Sequence, residues 1–336
     1  VLSRAEAFVQ DGHPGQAAPL LVGLRRGVER MHGPCGPSCR ARWHLAWGYC
    51  RGCASELEEA WVSFQAARRE ADDIEDVGLA RTLHLRAHME LASVALASGK
   101  ALEMAAQHAD EAVRGAGDVE DTHALARLAA CLSAVARAEH AVGRWPAARG
   151  HYENALSVGM RVPPPGAAAA NTGDRGLRIW VEARVAAANA AKEVARTLST
   201  LGDVDGCGRW FDRGLAALDG PEQPNTHLTR GMLGLERARC ESGDDVSAPT
   251  RRISWLKEAV REGLAAGEPN GRILACRAEL DLALQLRDLG DCTAAADHAR
   301  RVEEHWDDLP PDIAAACGAE ARLVLGMALL DSGDEA

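Results

Sequence analysis

The chain has 336 residues, of which 47% are hydrophobic, so it can bury a core and is not disordered throughout. Aromatic residues make up only 4%, and the apolar residues are mostly alanine, leucine and valine, a composition that favours helices over sheets. The 38 Lys and Arg against 49 Asp and Glu give a net charge of −11, which argues against a general nucleic-acid binder and a polybasic membrane-surface protein.

Targeting and redox features of the sequence favour a cytoplasmic protein. No uninterrupted apolar run approaches the ~18 residues of a membrane span, and the residues from Val1 onward do not resemble a secretory signal. Six of the ten cysteines lie singly in helical patterns, as buried thiols do in a reducing compartment. These six are Cys131, Cys207, Cys240, Cys276, Cys292 and Cys317.

Glycines mark a repeat along the chain. A long stretch of helical periodicity is followed by a glycine, usually a polar residue, and then a second periodic stretch. The spacing of these glycines is 40–47 residues, with one interval of 59, and fits one helical hairpin per unit. We expect each glycine to supply the left-handed cap that ends a first helix. The glycines are Gly12, Gly52, Gly99, Gly143, Gly202, Gly243, Gly290 and Gly333.

The pattern predicts the helices in chain order. Leu2–Gln10 is the end of a first helix, and Gly333 opens a second helix that stops at once, so we expect a segment of a longer protein. The other first helices are predicted at 40–50, 79–98, 121–141, 176–201, 227–242, 271–289 and 312–332. The second helices are predicted at 14–30, 54–70, 100–114, 145–159, 205–218, 250–266 and 292–308.

Two stretches, 143–156 and 202–215, place a small residue and then an aromatic residue after the glycine (Ala148 and Tyr152 in the first). They resemble the turn and second helix of the tetratricopeptide-repeat (TPR) family. The resemblance implies an all-α, right-handed α-solenoid of antiparallel helix pairs that binds proteins. The unit length exceeds the usual ~34 residues, which implies longer helices and looser linkers.

A loop rich in proline and glycine divides the repeats. The segment 161–176 contains three consecutive prolines, which cannot continue a helix. We therefore expect N-terminal repeats over 1–160 and C-terminal repeats over 177–336.

Four thiols lie close together in the sequence and form a weak candidate for a zinc site. The stretch between Cys39 and Cys50 has a helical pattern, which would separate these two sulfurs by about 16 Å, so one metal could be shared only if that helix were broken. The alternatives are loop thiols, a Cys35–Cys39 disulfide, or plain structural cysteines. The four residues are Cys35, Cys39, Cys50 and Cys53.

His84 and His88 lie four positions apart on one predicted helix. The glutamate of a metalloprotease H-E-x-x-H motif is missing, because Leu85 follows His84. We therefore interpret the pair as solvated or groove-facing. No phosphate-binding loop and no G-x-S-x-G elbow occurs, so the sequence predicts neither a cofactor nor an enzyme.

Charge and tryptophans suggest a binding surface on the first helices, which line the concave side in TPR arrays. Summed Lys and Arg exceed Asp and Glu by six over the six first helices from 40–50 to 271–289. The alternative is that these arginines pair with acids on neighbouring units, and that the tryptophans pack in the core. The candidate groove residues are Trp43, Arg81, His84, His88, Arg127, Arg178, Trp180, Arg184, Arg196, Arg237 and Arg277, together with Arg287.

The sequence therefore predicts a protein-interaction scaffold that binds a peptide or protein segment in a helix-lined groove, with an acidic segment as the favoured ligand. The alternative is a regulatory or sensor module of a larger enzyme or regulator, such as a signalling kinase, an NTPase transcription regulator or a caspase-like or separase-like peptidase. In that case the partner would be another domain of the same chain. Neither interpretation involves nucleic acid or a membrane.

Overall fold

The structure, a computed structural model, describes residues 1–99, 102–165, 175–241, 247–267, 269–305 and 309–332. The chain divides into two compact units, Val1–Pro163 and Pro164–Ala336. The division falls within the predicted loop at 161–176, of which residues 166–174 lie outside the described residues. All regular elements in the described ranges are α-helices, which confirms the all-α prediction.

Unit 1 consists of four helical hairpins. In each hairpin a first helix packs against the second helix that follows it, and successive first helices also contact one another. The helices are α1 (Leu2–Gln10), α2 (Pro14–Glu29), α3 (Gly36–Cys53), α4 (Leu57–Asp72), α5 (Val77–Ala97), α6 (Leu102–Gly115), α7 (Thr122–Ala141) and α8 (Trp145–Met160).

Unit 2 repeats this arrangement with three hairpins and a last first helix, which packs on the preceding hairpin. The helices are α9 (Arg175–Thr200), α10 (Val204–Ala217), α11 (Pro224–Cys240), α12 (Ala248–Ala266), α13 (Pro269–Asp288), α14 (Cys292–His305) and α15 (Pro311–Ser332). In both units the helices begin and end within three residues of the predicted boundaries, except that α3 starts four residues earlier than predicted.

The turn inside most hairpins is made by the predicted glycine. At five of the eight positions the glycine has a φ between +61° and +82°, a conformation that costs glycine little because it lacks a Cβ. These five are Gly12, Gly99, Gly143, Gly202 and Gly290. Gly243 and Gly333 lie outside the described residues.

The prediction for Gly52 is wrong. This glycine lies inside α3, and the residue that adopts the left-handed conformation is Ser55, with a φ of +63°. The helix continues through Gly52 because a glycine does not by itself end a helix. The turn of this hairpin therefore lies three residues later than the glycine pattern predicts.

Small residues let the helices approach closely. Gly48 on α3 faces Phe64 on α4, and a Cβ at Gly48 would lie 2.7 Å from the Phe64 ring. On α12 and α13, a Cβ at Gly263 would lie 2.7 Å from the carbonyl oxygen of Gly271. A Cβ at Gly271 would lie 2.4 Å from the Gly263 oxygen. The two backbones of α12 and α13 are therefore in direct contact at this crossing.

One helix in the described ranges, α15, is long and apolar enough to cross a membrane by length and composition alone. Its best 18-residue window has a mean hydropathy of 1.7, and 28% of that window is buried. Glu320 and Arg322 lie in the middle of the helix, where charges are costly in hydrocarbon. Cys317, Ala321 and Val324 pack in a core cluster with residues of α13 and α14.

Candidate functional site

Unit 1 has a groove on the face formed by its first helices. The groove is lined by residues of α1, α3, α5 and α7. Its floor is apolar, and Val9, Leu45 and Tyr49 are partly exposed there, while Ala46 and Met89 are buried. An apolar floor with polar residues around it is the usual composition of a ligand-binding cleft.

Three arginines border this floor, and each one forms an ion pair with an acid on a neighbouring first helix or at its cap. The Arg127–Glu90 and Arg86–Asp121 pairs each have N···O separations of 2.6 Å. In the third pair, Arg42 donates through Nε to Glu6 Oε1 at 2.7 Å. The pairs therefore link successive hairpins along the groove, and together they neutralise the charge of its border.

Glu90 and Arg127 form the most enclosed of these pairs. Burial raises the pKa of the Glu90 carboxyl, and the positive charges of Arg127 and then Arg86 oppose that rise. The Arg127 guanidinium also lies over the Tyr49 ring, 5.3 Å from its centroid. Arg127 is thus held between a carboxylate and an aromatic ring at the centre of the groove.

Three of the predicted groove residues are buried in the helical core. Trp43 is 6% exposed, and its Nε1 donates a hydrogen bond to the Leu21 carbonyl oxygen at 2.9 Å, so it faces α2. Trp180 is fully buried beside Gly220, and Arg184 is 7% exposed, with its guanidinium 5.8 Å from the centroid of the Trp180 ring. The prediction that these three side chains face a ligand is wrong, because each points into the packing between helices.

The predicted residues on α5 face away from the groove. Arg81 pairs with Asp118 at 2.9 Å, and His84 Nε2 lies 3.1 Å from Asp72 Oδ1. His88 contacts His108 on α6. These side chains lie on the sides of α5 turned toward α4, α6 and the loop before α7. The prediction that they line the groove is therefore also wrong.

Of the remaining candidates, Arg127 lines the groove of unit 1 and Arg277 lines a second groove in unit 2. This second groove lies between α11 and α13 and is mostly apolar. Arg196 lies 3.6 Å from Glu236, Arg237 lies over the Trp255 ring and pairs with Asp212, and Arg287 pairs with Asp331. Arg178 is exposed on α9.

The four clustered cysteines do not converge. The helix α3 is unbroken from Gly36 to Cys53, so Cys39 and Cys50 lie about 16 Å apart along its axis. Cys35 and Cys53 are exposed, whereas Cys50 is buried and its thiol pKa is raised to about 11 by burial. Among the described residues, no group of three or more His, Cys, Asp or Glu side chains is arranged to hold a metal ion.

Comparisons with solved structures identify the architecture. The apo form of RapI is similar to this chain with a TM-score of 0.59, at 12% identity, over 98% of this chain and 84% of that one. Nro1, described as a hypoxic regulator of sterol synthesis and a nuclear import adaptor, has a TM-score of 0.52 at 13% identity, over 79% of this chain and 85% of that one. The fold is a TPR-like array of helical hairpins.

The likeness concerns the fold, since the identities are low. A tetratricopeptide repeat protein from Parabacteroides merdae also matches, with a TM-score of 0.41 at 13% identity, over 96% of this chain and 97% of that one. No family model and no curated protein matches the sequence.

Two groove arginines that the sequence analysis missed, Arg42 and Arg86, occupy the same position in the TPR-like repeat. Arg42 precedes the left-handed turn residue Ser55 by the same number of positions as Arg86 precedes its turn residue, Gly99. Using Gly52 as the turn residue shifts Arg42 by three positions and hides this equivalence. The signal was present in the sequence, but it could be used only with the correct turn residue.

The His88–His108 contact predicts a pH dependence of stability. The two Nδ1 atoms are 3.0 Å apart, so one ring must donate and the other must accept, and double protonation breaks the bond. Burial, followed by the positive charges of His108 and Arg68, lowers the pKa of His88 to about 4. Because the unfolded histidine binds its proton near pH 6.5, the stability that the neutral His88 contributes is fully present above pH 6.5 and is lost as the pH falls toward 4.

Between pH 7 and pH 5 we expect the free energy of unfolding to fall by about 1 kcal/mol less in His88→Leu than in the wild type. The effect is limited to this size because His88 is partly exposed and solvent screens its interactions. Urea unfolding at the two pH values measures the difference. The exposed His32 provides the matched control, because His32→Leu should retain the wild-type dependence. Equal pH dependence in His88→Leu and the wild type would contradict this assignment.

Proposed function

We propose that this protein binds a peptide or protein segment in the groove of unit 1. The observation that carries the proposal is an apolar floor bordered by ion pairs on the first-helix face of successive hairpins. Such a surface suits an extended segment, which can place apolar side chains on Leu45 and Tyr49 and polar groups against the border. The similarity to Nro1, described as an import adaptor, supports a protein-binding role for this fold.

An acidic residue in the bound segment would find donors in this groove. A guanidinium has five N–H donors, more than one carboxylate uses, so Arg86 and Arg127 can donate to a second carboxylate without releasing Asp121 and Glu90. We therefore propose a segment that combines an apolar side chain for the floor with an acidic side chain for these arginines.

Selection of random phage-displayed peptides on the immobilised full chain tests this proposal, with affinities then measured by fluorescence anisotropy. We expect Arg127→Gln combined with Glu90→Gln to weaken the selected peptides by about tenfold or more, because the donor is lost at the centre of the groove. The double substitution avoids leaving Glu90 charged and unpaired.

The control is Arg149→Gln combined with Glu153→Gln. These two residues form an ion pair of the same type on α8, a second helix that does not line the groove. This variant should bind the peptides with wild-type affinity. Circular dichroism establishes that both variants are folded. If the selected peptides bind the Arg127 and Glu90 variant as tightly as the wild type, or if selection enriches no peptide, the groove of unit 1 is not the binding site.

A further inference from the structure

The groove between α11 and α13 is lined by residues of unit 2 only, and its surface is mostly apolar. Leu228 and Met232 on α11 and Ile273 on α13 are partly exposed there. Leu228 and Met232 also pack against the core cluster that contains the buried residues Leu235 and Leu274. The groove therefore offers a ligand apolar side chains that the core holds in place.

The charged side chains that line this groove are Glu236, Arg239 and Arg277. Arg239 is neutralised inside the unit, because its Nε donates to Asp281 Oδ2 at 2.8 Å and its Nη1 lies 3.5 Å from Glu236 Oε1. Arg277 is exposed, and it has no ion pair among the described residues. Its guanidinium can therefore hold a carboxylate of a ligand through two parallel N–H···O bonds.

Arg277 occupies the same position in the TPR-like repeat as Arg86 in unit 1. It precedes the left-handed turn residue Gly290 by the same number of positions as Arg86 precedes Gly99. Arg86 has an acidic partner, since its Nη2 lies 2.6 Å from Oδ2 of Asp121, the N-cap residue of α7. In unit 1 an arginine at this position therefore binds a side-chain carboxylate from the next first helix.

A proline accounts for the lack of such a partner in unit 2. Asp121 immediately precedes α7, whereas Pro310 immediately precedes α15, the first helix that packs on α13. The proline ring has no acceptor, so this position offers no carboxylate to Arg277. An acidic side chain of another protein can take the place that Asp121 has beside Arg86.

The apolar and the charged part of the groove are one helical turn apart. Ile273 and Arg277 are four residues apart on α13, which corresponds to ~6 Å along the helix axis. In an extended chain, side chains on the same face recur at every second residue, ~7 Å apart. A segment in which one residue separates an apolar from an acidic residue therefore matches both parts of the groove.

We propose that the groove of unit 2 binds an extended protein segment whose acidic side chain pairs with Arg277 and whose apolar side chain, two positions away, packs on Ile273 and Met232. This site consists of residues of unit 2, so it is separate from the groove of unit 1 and does not rest on the function proposed above. The groove selects its partner by the spacing of the two side chains as well as by their chemistry.

The test measures the binding of a fluorescein-labelled peptide, Leu-Ser-Glu-Ser-Leu-Ser-Glu-Ser-Leu, to the full chain by fluorescence anisotropy. This peptide contains the apolar and acidic pattern in both directions. We expect it to bind about tenfold or more tightly than the same peptide with Gln in place of Glu, because a charge-assisted pair is lost. A peptide of the same composition with adjacent Leu and Glu, Leu-Glu-Ser-Ser-Leu-Glu-Ser-Ser-Leu, should bind as weakly as the Gln peptide. Equal affinities of the three peptides, or no binding of any, would overturn the proposal.

Three variants assign the preference for Glu over Gln to one arginine. Arg277→Gln should abolish this preference, and Pro310→Asp should reduce it, because the new carboxylate competes for Arg277. The matched control is Arg287→Gln, which replaces an arginine of the same helix that pairs with Asp331 and does not line the groove. This control should keep the preference, and circular dichroism establishes that all three variants are folded. An unchanged preference in Arg277→Gln would contradict the proposal, and one in Pro310→Asp would contradict the equivalence with Asp121.

Photo-crosslinking locates the bound peptide. With photo-leucine in place of its central Leu, we expect crosslinks to α11 and α13, near Met232 and Ile273, mapped by mass spectrometry. These crosslinks should persist when Arg127→Gln is combined with Glu90→Gln, which removes the central donor from the groove of unit 1. Crosslinks confined to residues of unit 1 would overturn this proposal and leave the one for unit 1 in place.

Discussion

Replacing His151 with leucine is expected to lower the free energy of unfolding by about 3–5 kcal/mol, because it leaves a buried carboxylate without a partner. His151 is 5% exposed on α8, and its Nδ1 lies 2.7 Å from Glu139 Oε2, whose side chain is only 3% exposed. Its Nε2 lies 3.2 Å from Asp110 Oδ1. Leucine is close to histidine in size, so the loss comes from the polar contacts more than from a cavity. Urea unfolding of the full chain measures it.

A double-mutant cycle separates the interaction between His151 and Glu139 from the packing of the two side chains. Glu139→Leu together with His151→Leu removes both polar groups, and we expect it to recover a large part of the loss caused by His151→Leu alone. Arg149 and Glu153, an exposed pair on the same helix, provide the matched control, because breaking it with Arg149→Leu should change stability by about 0.5 kcal/mol or less. Additive effects of the His151 and Glu139 substitutions would show that the two groups are not coupled.

The Gly271→Ala substitution is expected to destabilise unit 2 by about 2–4 kcal/mol, because the new methyl group would collide with the backbone of α12. The added Cβ would lie 2.4 Å from the Gly263 oxygen and 2.8 Å from Ala266 Cβ. A backbone carbonyl cannot move aside by a change of rotamer, so the two helices must separate. Thermal and urea unfolding of the variant measure the loss.

Gly150 is the control for this substitution. It lies inside α8, and a Cβ at that position would meet nothing within 4 Å. Because alanine is the better helix former, Gly150→Ala should raise stability by up to about 1 kcal/mol. The two substitutions should therefore change the free energy of unfolding in opposite directions. A Gly271→Ala protein as stable as the wild type would mean that α12 and α13 do not cross at this distance.

The hairpin architecture was predictable because helix ends have strong local signals. A glycine such as Gly143 or Gly202 ends a first helix for a reason that involves only its own backbone. Ser55 shows where this reasoning stops, since a serine with a positive φ leaves no comparable mark in the sequence. The hairpins were found in spite of this error, because the apolar periodicity on either side fixes each helix within a few residues.

The groove was harder to predict, because a first helix buries more than one of its faces. Trp43 packs against α2, whereas Leu45, two positions away, lines the groove, so a shift of a few residues in register exchanges core and site. Large aromatic side chains suggest a binding site and a core equally well. The charges were also ambiguous, since the excess of arginine on the first helices does not reveal that Arg86 and Arg127 each have an acidic partner on or beside a neighbouring first helix.

The border of the groove consists of ion pairs that each link one hairpin to the next. The Arg127–Glu90 pair, for example, lies apart from the contacts that hold α7 against α8 within its own hairpin. Replacing both members of one pair together therefore removes a link between hairpins without leaving a buried charge unpaired, and it leaves the contacts inside each hairpin in place. Such paired replacements would change the shape and polarity of the groove border while the helical hairpins that carry it stay unaltered.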